Sequence, residues 1–137
     1  MDILTQAVAN TAALHVKGAD GSPLYSGPDR KPVRIVVHSP GSEAYAQIET
    51  KQTQRVLKRM NDNDGKRTAM TAEERLAQTA EDLADITVDF ENLELEGKTG
   101  RALFLAVYGR RELGFIANQV SKFLADWGNF KGAPAAP

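Results

Sequence analysis

The chain has no cysteine among its 137 residues. That absence excludes disulfides, thiolate catalysis and cysteine-ligated zinc. Histidine is scarce too: only His15 and His38 are present. Each falls in a segment that reads as strand, with no serine or acid at a spacing that makes a catalytic triad legible. There is no excess of charge of either sign, since 17 basic and 18 acidic side chains leave a formal net charge of −1. A balance this close gives no global attraction to nucleic acid or anionic lipid. No apolar run approaches the roughly 20 residues that cross a bilayer. The first residues, MDILTQAVANTAALHV, carry an acid where a secretory signal would carry basic residues. These absences lead to the expectation of a soluble, intracellular protein of one domain. Residues 1–130 form it, and 131–137 (KGAPAAP) make a disordered tail.

Hydrophobic residues at 42% and charged residues at 26% are ordinary for a globular chain. The N-terminal third is weakly patterned up to Asn10. Ala12–Lys17, the turn GADGSP and Leu24-Tyr25 then read as extended, turn and extended. Pro28 and Pro32 forbid a helix in SGPDRKP. Val33–His38 (VRIVVH) is the best strand, rich in β-branched residues and closed by Ser39-Pro40-Gly41. Such a sheet is marginal alone and requires a helix over one face.

Beyond Gly41 the pattern turns helical. Ser42 is an N-cap for a helix to about Met60, with Tyr45, Ile48, Val56 and Met60 as an apolar stripe that Gln52 interrupts. Asn61–Arg67 (NDNDGKR) reads as a solvated loop in which Gly65 suits a left-handed turn. Thr71 and Glu74 form a capping box for a second helix, with Leu76, Ala80 and Leu83 inward. Its end is ambiguous. Ile86, Val88 and Phe90 alternate like a strand, yet Leu83, Ile86, Phe90 and Leu93 keep helical spacing. A helix ending between Asp85 and Val88, followed by an irregular segment through Gly97, is the preferred reading.

The last third is the most ordered stretch. Ala102–Tyr108 is apolar at every position and leans towards a buried helix, although a core strand fits the pattern as well. With Leu113–Trp127 drawn at about 100° per residue, Leu113, Ile116, Ala117, Val120, Phe123, Leu124 and Trp127 share one face. Phe115 falls among the polar positions. The expected architecture is α+β and mainly α-helical: a small N-terminal β-sheet of two or three strands followed by four or so helices.

Motifs for chemistry do not hold up. Gly97-Lys98-Thr99 ends like a phosphate-binding loop, but Asn92 stands where the pattern requires glycine, so a turn and a helix cap explain it better. Asp62–Gly65 resembles part of a calcium loop, but the alignment puts Met60 and Thr71 where carboxylates are needed. No enzyme activity, metal or cofactor is expected. Basic Lys51–Arg67 precedes acidic Glu73–Glu96, which suits two helices pairing across a hairpin, or a face that attracts an oppositely charged helix.

Taken together, HSPGS-x-x-Y (His38–Tyr45), VDFENL (Val88–Leu93), TGRAL-x-L-x-VY (Thr99–Tyr108), LGFIANQV (Leu113–Val120) and FLADW-x-NF (Phe123–Phe130) resemble tail assembly chaperones of long-tailed, siphovirus-like bacteriophages. The resemblance covers roughly residues 24 to 130 and is strongest from Val88 onward. It departs at Phe90, where related sequences often carry Trp. It implies a non-enzymatic protein of the host cytoplasm, absent from the mature virion. Such a protein self-associates, coats the tape measure protein and is followed by polymerisation of the tail tube protein. The expected protein-binding residues are Leu103, Phe104, Val107, Tyr108, Phe115, Ile116, Val120, Phe123 and Trp127, several of which must also serve as core. Two rival readings are a permanent tail component, such as a terminator or connector subunit, and a nucleic-acid-binding accessory protein using Lys51–Arg67. The basic cluster lacks the interleaved aromatics of a nucleic-acid groove.

Overall fold

The computed structural model describes residues 1–62 and 70–131; the turn expected at Gly65 and the tail beyond Lys131 lie outside them. Strands β1 (Thr11–His15) and β4 (Arg34–His38) pair antiparallel, with Thr11 opposite His38 and His15 opposite Arg34. Between them lies a two-stranded ribbon, β2 (Tyr25–Ser26) and β3 (Lys31–Pro32), in which Tyr25 is extended as read while Ser26, Lys31 and Pro32 fall in the segment read as a loop. Its hairpin places Gly27 and Arg30 at positive φ, and the Arg30 guanidinium stacks over the Tyr25 ring at 4.8 Å. His15 is structural: its Nε2 sits 2.9 Å from the Leu24 carbonyl and its ring meets Tyr25 edge to face.

VRIVVH is the centre of the main sheet. Val33, Ile35 and Val37 are buried while Arg34 is exposed, which is the alternation of a strand with one covered face. Its third strand is not N-terminal. β5 (Thr87–Glu91) completes the order β1-β4-β5, so the segment read as irregular after the second helix is a strand. Ile35 faces Phe90 and Val36 faces Asp89, then a bulge at Val88 shifts the register to Val37 opposite Thr87. Local pattern could not decide this, because the same apolar residues satisfy helical spacing; pairing with β4 decides it.

Four α-helices follow or flank the sheet: α1 (Glu43–Asp62), α2 (Ala72–Ile86), α3 (Gly100–Tyr108) and α4 (Gly114–Ala125). The caps are those the sequence suggests. Tyr45 N–H donates to the Ser42 hydroxyl at 3.2 Å, and Glu74 N–H to the Thr71 hydroxyl at 3.1 Å. Gly97, at φ +69°, turns the chain ahead of α3, and Thr99 occupies the N-cap position without a side-chain hydrogen bond to the helix. The apolar run Ala102–Tyr108 is a helix.

The final helix is shorter than the wheel suggested. It stops at Ala125, and Asp126 caps a 3₁₀ turn (Trp127–Phe130) by accepting from Gly128 N–H at 2.9 Å. That turn swings Phe130 into the core, fully buried against Phe123 with ring centroids 5.2 Å apart, and leaves Trp127 outside. Towards the other end of the chain, Ala9 N–H donates to the Phe130 carbonyl at 2.7 Å.

One polar knot lies inside this core. The Thr87 hydroxyl donates to the Leu83 carbonyl at 2.8 Å, so its oxygen accepts from the Tyr108 hydroxyl at 2.7 Å. Tyr108 is completely buried, and that burial pushes its phenol above the ordinary tyrosine range, partly countered by Thr87. The knot ties the end of α2 to the end of α3. Thr87→Val strands a buried phenol hydroxyl and should cost about 1–3 kcal/mol in chemical denaturation. Tyr108→Phe leaves Thr87 bonded to Leu83 and should cost about 1 kcal/mol or less. The double variant should be more stable than Thr87→Val alone; equal losses for the two single variants would contradict the proposed donor order.

Candidate partner-binding surface

The residues expected to bind a partner separate into two groups. Leu103, Phe104, Val107 and Tyr108 of α3 and Ile116 and Val120 of α4 are buried in one core cluster with Ile35, Val37, Phe90 and Phe130, and Phe123 is buried against Phe130. In this fold they cannot act as a surface, because the three-stranded sheet requires them as its cover. Phe115 lies within α4 and is half-buried, packed against the same core. Trp127 alone is exposed, at 54%. It lies beside Val8 and Gly41, where even a single added carbon on Gly41 would come within 3.1 Å of the indole. The nine residues therefore form no common face.

What the packing of α3 on α2 leaves open is a groove of about 420 Å³. Along α2 it is lined by Glu73, Leu76, Ala77, Ala80 and Glu81, which recur at helical spacing and so share one stripe. Leu105 and Gly109 form the wall from α3. The floor is apolar and built from small side chains. Gly109 sits there under a close approach: a Cβ on it would lie 2.8 Å from the Leu105 carbonyl and 3.9 Å from the Ala80 methyl. Glu73 and Glu81 put two carboxylates at the rim.

Of the residues expected inward on α2, Ala80 is buried as expected and Leu76 is half-buried, and both also line the groove. Sequence reasoning missed Ala77, Leu105 and Gly109. A usable signal existed in the pairing of small residues on α2 with the glycine that ends α3, since small residues on facing helices leave a trough between them. Leu105 gave no signal of its own, being one apolar residue in an apolar run.

From Gln78 to Asp85, α2 also holds α1 by polar contacts, with Glu81 shared between the groove rim and this seam. α1 runs for 20 residues with no buried residue. Arg55 bridges to Asp85 at 2.7 Å, Glu81 at 3.2 Å and Asp82 at 3.7 Å, while Gln52 donates to the Asp82 carbonyl. Arg59 donates to Gln78 at 2.7 Å. The basic and acidic segments thus pair within the chain, as the hairpin reading supposes. Val56 and Leu57 of α1 stay more than half exposed. Lys66 and Arg67 of the basic cluster lie outside the described residues.

Asp85 is the hub of this clasp, since Arg101 of α3 also reaches it at 2.7 Å. Partial burial alone would raise the Asp85 pKa, but hydrogen bonds from Arg55 and Arg101 outweigh it and hold the carboxyl below its usual value. Arg55 is held above its own usual value chiefly by its bond to Asp85.

Among the described residues no group of three or more histidine or acidic side chains is arranged to hold a metal ion. No helix among them is long and apolar enough to cross a membrane. No family model, no curated protein and no solved structure matches this chain.

The sign of the Asp85 shift sets the pH dependence. A carboxyl whose folded pKa is depressed stabilises the fold above its unfolded value, near 3.8, and that contribution disappears as the pH falls through the folded value. Helical circular dichroism from α1 should therefore decline below that point, before the near-ultraviolet signal of the buried aromatics. At neutral pH, Asp85→Asn should raise tryptic cleavage within α1 about fivefold while global stability changes by only about 1 kcal/mol, since the arginines of this partly buried cluster stay open to solvent and Asn can still accept from one of them. Unchanged cleavage would show that the clasp does not hold the helix.

Proposed function

We propose that this chain is a non-enzymatic tail assembly chaperone of a long-tailed bacteriophage. In this reading it binds helical segments of the tape measure protein in the host cytoplasm, keeps them from aggregating, and leaves before the tail tube protein closes around them. Two things support it: the motifs from His38 to Phe130, and the acid-rimmed apolar groove between α2 and α3. The groove carries the reading. An apolar trough between two helices suits the apolar stripe of a third helix, and the carboxylate of Glu73, beside a Glu81 that Arg55 already bridges, favours one flanked by lysine or arginine.

A tape measure chain is long, helical and apolar along its helices, so it is prone to aggregation when bare. Modest contacts repeated by several copies along such a rod give combined strength with individually rapid release. Self-association of this chain belongs to the same proposal. The buried side chains of α3 and α4 then act as the rigid support of the groove, and of those two helices only Leu105 and Gly109 at the end of α3 face the partner.

Co-expression tests this. The tape measure protein should be soluble with the wild-type chain and insoluble with Ala77→Arg, which fills the groove and opposes a basic partner. Ala77 is exposed, so that variant should fold with unaltered circular dichroism. Equal solubilisation by both proteins would remove the groove from the account. Detection of this chain at fixed stoichiometry in purified particles would replace the chaperone reading with that of a permanent tail component.

A further inference from the structure

β1 is an edge strand, and its outer side is only partly covered. Val16 N–H donates to the Val33 carbonyl at 2.9 Å and Ser39 N–H to the Asn10 carbonyl at 2.8 Å. With the register of β1 on β4, residues 10, 12, 14 and 16 therefore turn their backbone groups towards β4. In an antiparallel ladder the intervening residues turn theirs outward. The outermost two are already engaged. Ala9 donates to Phe130, and Lys17 is held at both groups by Gln119, whose Oε1 accepts from Lys17 N–H at 2.8 Å and whose Nε2 donates to the Lys17 carbonyl at 2.6 Å. The Gln119 amide imitates one peptide unit of a neighbouring strand.

Between these two stops, Thr11, Ala13 and His15 present N–H and C=O groups that have no hydrogen-bond partner beyond the strand among the described residues. Ala13 and His15 open onto a groove of about 450 Å³ between β1 and α4, with Lys122, Phe123, Asp126 and Asn129 on the far side. At the other edge of the sheet the Val88 bulge disrupts β5. β1 carries no such interruption.

We propose that this groove binds a short extended peptide segment of a partner, which adds a fourth strand to the sheet at β1. The groups on offer select the occupant. Alternating backbone donors and acceptors match an extended chain, whereas a helix has already used its own. A second copy of β1 does not fit. Antiparallel pairing centred on Ala13 would bring the copy's Ala9 against Lys17, where the Gln119 amide already lies. A free peptide can leave the sheet at that point. Lys122 and Asp126 give the far wall mixed charge, so the backbone supplies most of the affinity while these two side chains select among peptides by charge. This site shares no residue with the groove between α2 and α3, and stands or falls independently of it.

The probe is a ribosome-displayed library of random peptides of about 12 residues, long enough to contain a strand. Enriched peptides are synthesised and scanned with backbone N-methyl groups. Strand addition predicts losses at alternate residues on one side of the peptide, the period of a strand. Ala13→Pro removes an outward N–H without touching the ladder to β4, a substitution that edges tolerate, and should weaken binding about tenfold. Gln119→Ala, which frees Lys17, should bind at least as tightly as wild type. Should Ala13→Pro fail to fold, the N-methyl scan on the wild-type protein decides. Losses spaced by three or four residues, unaltered binding by a folded Ala13→Pro protein, or no enrichment at all would overturn the proposal.

Discussion

The return of β5 from the middle of the chain to the side of β4 is the constraint on which this molecule depends. Phe90 arrives with that strand and meets Phe104 and Tyr108 of α3, with ring centroids 4.7 Å and 5.6 Å away. Those contacts fix α3 to the sheet, and the Thr87–Tyr108–Leu83 knot fixes α2 to α3. Without β5 the sheet would be a two-stranded ribbon with one apolar face, which is not stable in water. With it, β4 is flanked on both sides and the helices have a platform to cover.

Much of this was legible from residue types alone. VRIVVH declared itself through β-branched content and alternation, and Ser42 and Thr71 declared the starts of α1 and α2 by their capping chemistry. α3 followed from its leucine and alanine content. Other features were not legible, for identifiable reasons. Ile86 to Leu93 satisfies two periods at once, so only its long-range partner could select the strand. The wheel carried the last helix through to Trp127 because nothing in the apolar pattern marks the stop at Ala125. That stop comes from Asp126 capping a tighter turn. The consequence is an exchange, in which Trp127 leaves the core and Phe130, absent from the expected face, enters it.

The candidate surface was legible only indirectly. Apolar richness of the C-terminal helices was read as spare binding surface, but a small sheet consumes that surface as its own cover. What remains for partners is defined by what the chain leaves out: side chains at Ala77 and Gly109, and a full neighbour for β1. Small residues and open backbone leave little trace in hydrophobic patterning. The polar seam between α1 and α2 adds a gradient of stability across the fold, because ion pairs and amides hold that helix where others have buried apolar area. In the chaperone proposed above, α1 would open at less cost than the α2–α3 pair that walls the groove.

Amide hydrogen exchange of this chain with and without the tape measure protein tests the central claim most directly. Slowed exchange concentrated in α2 from Glu73 to Glu81 and in α3 around Leu105 is the result that a helix seated in the groove requires. Unchanged exchange throughout α2 and α3 in a complex that demonstrably forms would contradict it.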